Sequence, residues 1–413
     1  MSELQIGFYD ALSKALQKAQ PKTQIHTVTL TDALFRVLAE DIIVKKNLPS
    51  FDNSAMDGFA YRYDEADNTL HVKQTIFAGD VPKANLLPGE CYRIMTGAQL
   101  PSDVDTVAPI EKCENVTQES VYISKAIKKG SNFRKKGEEI KIGEVLLHKG
   151  EILSPADIAL LSAQGIMAIK VYEKPRIAIV ATGNEIKEPW EEANEDEIYN
   201  ANAFGIQALL KNFHFDASYI GSIPDDLERT KEFIGSLKTF DVIITTGGIS
   251  QGDADFLYEA FIYNGLENIF HGVRVKPGHP VMMGTMDDTF VMAMPGNPLT
   301  TMLTVHAFSL PVLYKISGAS KIFHPFSYAR FSQDLKLKSG RVNMVIGELE
   351  NGIVSPINNN KIGSGMLTPL SKSNVVIYFD EHISEVQKDD LVKVIFLDAT
   401  TRVLEFQNFT SEL

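Results

Sequence analysis

The chain has 413 residues, 44% hydrophobic and 23% charged, with a formal net charge of −13; at roughly 100–200 residues per domain it asks for about two to four domains. That apolar share excludes a largely disordered chain, and the acidity argues against nonspecific nucleic-acid binding, which rests on Lys and Arg neutralising phosphates. No apolar run reaches the roughly 20 residues that span a bilayer, the N-terminal MSELQIGFYDALSKAL is amphipathic without an apolar signal core, and Cys91 and Cys113 form no CxxC pair, so a cytoplasmic protein without a membrane partner is expected.

Taken in chain order, Ile6, Phe8, Leu12, Ala15 and Leu16 fall near helical spacing, with Pro21 as a stop. TLTDALFRVLAEDIIV is expected to be a helix capped by Thr31 or Asp32 that runs into a strand. From Phe51 to Ser131 short β-like segments (FAYRY, LHVKQTIF, CYRIM, TVAPI, VYISKAI) alternate with turn residues, the pattern of a small, mainly antiparallel domain. SPADIALLSAQG predicts a helix with Ser154 as N-cap, Pro155 in the first turn and Gly165 at its end. From Pro175 strands and helices alternate (RIAIVAT, NANAFGIQALLKNF, FDASYIGSI, DDLERTKEFIGSLKTF, DVIITT, DFLYEAFIYNG, GVRVKPG, TFVMAMPG and a helix from about Pro298 to Ile316), the signature of a parallel sheet covered by helices. After His324 short strands return, with turns such as ENG. The fold class is therefore multidomain α/β plus β.

Polar loops follow several of these strands, and in open α/β sheets ligands bind beyond the carboxyl ends of the strands. In DVIITTGGISQGDAD, Gly247 and Gly248 let backbone N–H groups approach an anion, while Asp253 and Asp255 can hold a hard cation. A glycine turn with solvated acids is the alternative. RIAIVATGNEI sets Thr182, Gly183, Asn184 and Glu185 at a second strand end, and TFVMAMPGNP sets Pro295, Gly296 and Asn297 at a third, where a helix follows and its free N–H groups suit phosphate or an oxyanion. Simple turn and cap chemistry competes for both. Lys276 and His279 in RVKPGHP offer cations, or else a solvated Lys and a polar loop His. Asp225 and Asp226 suit an N-cap, and Asp52, Asn53, Ser54 and Asp57 crowd a turn in PSFDNSAMDGFAYR that periodicity does not explain.

Together PSFDNSAMDGFA, RIMTGAQLP, GSNFRKKGEEI, ATGNEI, TTGGISQGDAD, KPGHP and PGNP resemble the molybdopterin molybdenumtransferases, the MoeA family that includes the C-terminal portion of gephyrin, in the family's order over essentially the whole chain. The resemblance implies a homodimer of four-domain subunits: a linking segment (1–50 and 130–172), a small β domain (51–129), a molybdopterin-binding-type α/β domain (173–322) and a C-terminal β-barrel (323–413). It implies that adenylylated molybdopterin and molybdate give molybdenum cofactor and AMP with magnesium. Carried over by motif, Glu185 and Asp255 are magnesium-linked acids, and Asp57, Thr96, Asp225, Lys276 and His279 occupy active-site positions. Gly183, Gly247, Gly248, Ser250, Gly252, Gly296 and Asn297 line the cofactor site, with Arg341, Ser364 and Thr300 as contacts to the oxyanion. Asp57 and Thr96 are expected to act across the dimer, and the preceding adenylyltransferase and recipient molybdoenzymes are implied partners.

The chain departs from the pattern twice. His279 stands where the family usually has a second Lys, removing a permanent charge, and Ile346 stands where a second Arg often follows the one matching Arg341. Two other functions compete. The adenylyltransferases of the related fold typically read GGTG where this chain has GGIS, and a noncatalytic pterin-binding or scaffolding protein is favoured by His279 and Ile346 but opposed by the acids and Lys276.

Overall fold

In the computed structural model, which describes residues 5–183, 185–223, 226–248 and 256–397, the chain divides into two units. One comprises residues 40–149 and 154–169, the other residues 1–39, 150–153 and 170–413.

The first unit is built on a five-stranded sheet in the order Thr106–Pro109, Gly58–Tyr61, Glu90–Ile94, Asn68–Ile76, Ser120–Ile123. All its pairs are antiparallel except Asn68–Ile76 with Glu90–Ile94, as the turn-rich texture predicts. Alternate residues sort to two apolar layers, Phe59, Tyr61, Leu70 and Cys91 on one side and Ala60, Ile76, Tyr92 and Ile94 on the other. Gly58 is required by packing, since a Cβ there would lie 1.9 Å from the Ala108 carbonyl oxygen. The expected helix spans Pro155–Ala163, with Ser154 and Asp157 forming a reciprocal capping box. Gly165 leaves it at φ +70°.

The second unit holds a six-stranded sheet. Its strands are β1 (Ile177–Ala181), β2 (Ala217–Ser222), β3 (Val242–Thr246), β4 (Leu266–His271), β5 (Met282–Met286) and β6 (Thr289–Met294), in the order β2-β1-β3-β6-β5-β4. β2, β1, β3 and β6 are parallel, in a register that aligns Ala181, Thr246 and Met294. β1, β3 and β6 are buried throughout, which explains their unbroken apolar runs. Ile177, Ile179, Val242 and Ile244 pack on helices Phe8–Lys18, Ala201–Asn212 and Pro298–Ile316. Ala178, Val180 and Ile243 face Ile234, Leu257 and Phe261. Periodicity does not reveal the antiparallel edge of β5 and β4, because LENIFH and VMMGTM carry Gly, Asn and Met in place of β-branched alternation.

The helix expected from Thr31 is absent. A single 3-10 turn covers Leu30–Asp32, Phe35 takes φ +59°, and Val37 and Leu38 bridge to Ile152 and Val171. Long-range pairing overrides local propensity.

Beyond helix Pro298–Ile316, strands Val342–Glu350, Ile353–Pro356, Ser327–Phe331, Leu391–Phe396 and Val375–Phe379 pair in sequence, and the last returns to the first, closing a five-stranded barrel. Phe331, Val345, Val354, Ile377 and Val394 fill it. Asn351 and Gly352, at φ +48° and +78°, make the ENG hairpin turn. Helix Pro298–Ile316 is apolar and long enough to cross a membrane, but 83% of it is buried inside the protein, as a core helix.

Candidate active site

Three loops leave adjacent parallel strands at the same level, because the register brings Ala181, Thr246 and Met294 abreast. They are tied to one another. Thr182 donates to the Thr246 carbonyl through its backbone N–H at 3.1 Å and through Oγ1 at 2.8 Å, and the Gly247 N–H reaches the Met294 carbonyl at 2.9 Å. Glycine is needed at Gly247, which has φ +85° and where a Cβ would fall 2.6 Å from Thr182 Oγ1. Gly296 packs beside it, its Cβ position 3.4 Å from the Gly247 Cα.

The PGN loop is held from inside. Asn202 Nδ2 donates to the Gly296 carbonyl at 2.7 Å, Thr301 Oγ1 shares its one proton between the Pro295 and Asn297 carbonyls, and Thr301 N donates to the Asn297 carbonyl at 2.9 Å. Asn297 Nδ2 in turn donates to Ser364 Oγ at 3.0 Å, bringing a residue from beyond the barrel hairpin to this loop. Thr245 Oγ1, Thr246 Oγ1, Thr300 Oγ1 and Asn202 Oδ1 are buried and have no hydrogen-bond partner among the described residues. Such groups cost about 1–3 kcal/mol each unless satisfied, and their concentration at these strand ends marks a place where a polar ligand or water completes the set.

Glu185 is exposed, and its carboxylate arches over Gly183, whose Cβ would lie 2.8 Å from Oε2. Lys276 is exposed on a two-residue strand that joins the barrel edge, paired with Asn343. His279 is committed elsewhere. Its Nδ1 lies 3.2 Å from the Val273 carbonyl and carries the proton there, leaving Nε2 to accept from the Gln5 amide at 3.1 Å. Arg341 has a buried Nε with no hydrogen-bond partner among the described residues. Ile346 is 3% exposed and packs outside the barrel in the core shared with helix Pro298–Ile316, so an Arg there would surrender its hydration. Asp226 caps helix Leu227–Ser236 by accepting from Arg229 N. Asp225, Ser250, Gly252, Asp253 and Asp255, with Asn184, lie outside the described residues.

The other unit gathers three of the sequence motifs by itself. Ser54 N donates to Ala98 O at 3.1 Å, Leu100 N to Asp52 O at 2.9 Å and Ala55 N to Asn132 O at 3.0 Å, while Lys136 N donates to Asp52 Oδ1 at 2.7 Å. On this platform Asp57 Oδ1 accepts from Thr96 Oγ1 at 2.6 Å and Thr96 N at 2.7 Å. Those two bonds, the hydroxyl's first, hold the Asp57 carboxyl below the usual carboxylate range. Sequence reasoning assigned no role to Asn202 or Thr301; the only signal is an Asn in the first turn after a strand end, which is also ordinary helix chemistry.

Three family models match the chain in order: the MoeA N-terminal region (domain I and II) over residues 6–165, a probable molybdopterin binding domain over 178–315, and the MoeA C-terminal region (domain IV) over 328–397. A molybdopterin molybdenumtransferase of Haemophilus influenzae is 31% identical over 391 residues, covering 93% of this chain and 96% of the relative. One of Staphylococcus epidermidis is 28% identical over 401 residues, covering 94% and 95%. A crystal structure described as molybdopterin biosynthesis moeA protein from Pyrococcus horikoshii superposes with a TM-score of 0.82 at 29% identity, covering 95% of this chain and 100% of that one.

Proposed function

The chain belongs to the MoeA family of molybdopterin molybdenumtransferases, enzymes of molybdenum cofactor biosynthesis, and from that membership we propose that it inserts molybdenum from molybdate into adenylylated molybdopterin and releases AMP, with magnesium as cofactor. The observation that carries this reading is the block of three loops at the ends of β1, β3 and β6, cross-bonded through Thr182, Gly247 and Asn202. A preorganised set of backbone amides lowers the cost of holding phosphate and oxyanion side by side. Magnesium is usually held by one or two carboxylates together with substrate phosphates. The exposed Glu185 carboxylate at a strand end suits that role, and Asp255 is the second acid of the proposal. Bound there, the ion supplies charge to the phosphate oxygens. Lys276 and Arg341 supply cations that the average field of an acidic protein does not, and Asn297, Thr300 and Ser364 contact the oxyanion.

The enzyme works as a homodimer in the cytoplasm, with the four-domain division set out above, and the Asp57–Thr96 pair of one subunit completes the loop site of the other. It receives its substrate from an adenylyltransferase and passes its product to molybdoenzymes. The test is AMP release from adenylylated molybdopterin with and without molybdate and magnesium. E185Q should lower the molybdate-dependent rate by about 10²-fold, the scale of losing one electrostatic group in a preorganised site. A parental rate in E185Q would remove it from the site, and no AMP release by the parent would overturn the reaction.

A further inference from the structure

A trans peptide sends its carbonyl and the following N–H in opposite directions. Pinning the Pro295 and Gly296 carbonyls inward, by Thr301 Oγ1 and Asn202 Nδ2, therefore turns the N–H groups of Gly296 and Asn297 outward. The Asn297 carbonyl is held as well, but the next residue is Pro298 and has no N–H to present. Neither the Gly296 nor the Asn297 N–H has a partner among the described residues. Of these two donors, the Asn297 N–H belongs to the peptide whose carbonyl Asn202 holds, with no second donor to that carbonyl among the described residues. Asn202 is 8% exposed, and its Oδ1 is buried with no partner among the described residues. Its place is set in turn by Asn200, which caps helix Ala201–Asn212 by accepting from Ala203 N at 3.1 Å.

We propose that Asn202 is a positioning residue for molybdenum insertion: its amide locks the Gly296–Asn297 peptide so that the Asn297 N–H faces the anionic group of the substrate. This rests on the reading of the PGN loop as an anion site. Without the Nδ2 donor the Gly296 carbonyl is free to turn outward, replacing a hydrogen-bond donor with a negative oxygen at the same spot. The loop then repels what it now attracts.

N202D separates this role from a structural one. When protonated, the introduced carboxyl is a donor of nearly the same shape; when ionised, it has no donor and repels the carbonyl. The nearby titratable groups Glu188 and Tyr219 bond to Asn200 and are present in both proteins, so the rate is read relative to the parent at each pH. Burial beside a carbonyl oxygen raises the introduced carboxyl's pKa above the ordinary ~3.9, so insertion by N202D relative to the parent should be best at the lowest pH at which the parent turns over and fall by about 10²-fold towards pH 8.5, the scale of a misplaced site group. N202S, too short to reach, should be impaired at every pH. N202D tracking the parent throughout, or N202S keeping the parental rate, would overturn the proposal. So would failure of both variants to fold by thermal melt, because the role assigned is confined to one loop. Separately, amide NMR of the parent titrated with AMP and with molybdate should move the Asn297 N–H, and which of the two moves it names the group it faces. An Asn297 N–H that responds to neither overturns the anion-site reading; a response in the parent alongside a parent-like N202D overturns only the role of Asn202.

Discussion

Asp57 shows how much a single side chain's task depends on its partner. An exposed carboxylate in a loop ordinarily titrates freely, but Thr96 gives it two short hydrogen bonds that favour the charged form. The folded-state pKa is depressed, so the favourable contribution is present above the unfolded value and is lost as pH falls through the folded one. T96V removes the hydroxyl bond, the larger cause, and keeps the backbone one. The Asp57 carboxyl followed by NMR should then titrate at higher pH than in the parent; an unmoved midpoint would mean the hydroxyl does not matter. His279 is a different case. Read from sequence it is a weakened cation, whereas in the fold its two ring nitrogens lie against the Val273 carbonyl and the Gln5 amide.

Elements carry the site through their ends. The loop after β3 needs Gly247 for two reasons at once, a left-handed backbone and the lack of room beside Thr182 Oγ1. G247A should lose stability by about 1–3 kcal/mol, and lose most of its insertion activity. G340A is the control, since Gly340 has φ +88° but open space where its Cβ would go. Equal losses in melting temperature and activity for both would argue that backbone strain, not the loop packing, is what matters. Helix Pro298–Ile316 makes a different demand. His306 is fully buried in its π-helical stretch Val305–Ser309, stacked at 4.1 Å on His324, and burial pushes its pKa down to about 3. A buried neutral imidazole costs stability once the unfolded chain can take up the proton. Stability should therefore be full above pH 6.5 and fall as pH drops from there towards 3, at no more than about 1.4 kcal/mol per pH unit for this group. Melting temperatures of H306Q should be lower at neutral pH and flatter over that window, and an equally steep profile would assign the acid sensitivity to other groups.

For the whole molecule the decisive experiment is subunit mixing. The Asp57–Thr96 pair and the glycine loops belong to different units, and the homodimer proposed above has them meet between subunits. Sedimentation should give about twice 45.7 kDa. A mixture of D57A and E185Q subunits, each strongly impaired alone, should regain part of the activity in those dimers that pair one intact site. An active monomer, or no recovery in a mixture shown to exchange subunits, would place each site within one chain. How far the molecule was legible beforehand depends on how local each signal is. The parallel strands, the capped helix at Ser154 and the small β domain were readable because period, turn residues and caps are local signals. The region from Thr31 to Val44 was not, since Val37 and Leu38 are claimed by Ile152 and Val171.

The sequence alone determined that Thr182, Gly247 and Gly296 stand at strand ends, because an apolar run buried on both faces must stop where polar groups begin. It also determined the order of motifs by which the family is known. Only the tertiary structure decided that these ends come level, through the register of Ala181, Thr246 and Met294, and that Asn202, 94 residues before Gly296, reaches that glycine's carbonyl. It decided too that Ile346 is core rather than a missing cation. A hydrogen bond or an apolar contact between residues far apart in the chain leaves no periodic trace in either segment, so it becomes visible only when packing brings the two together.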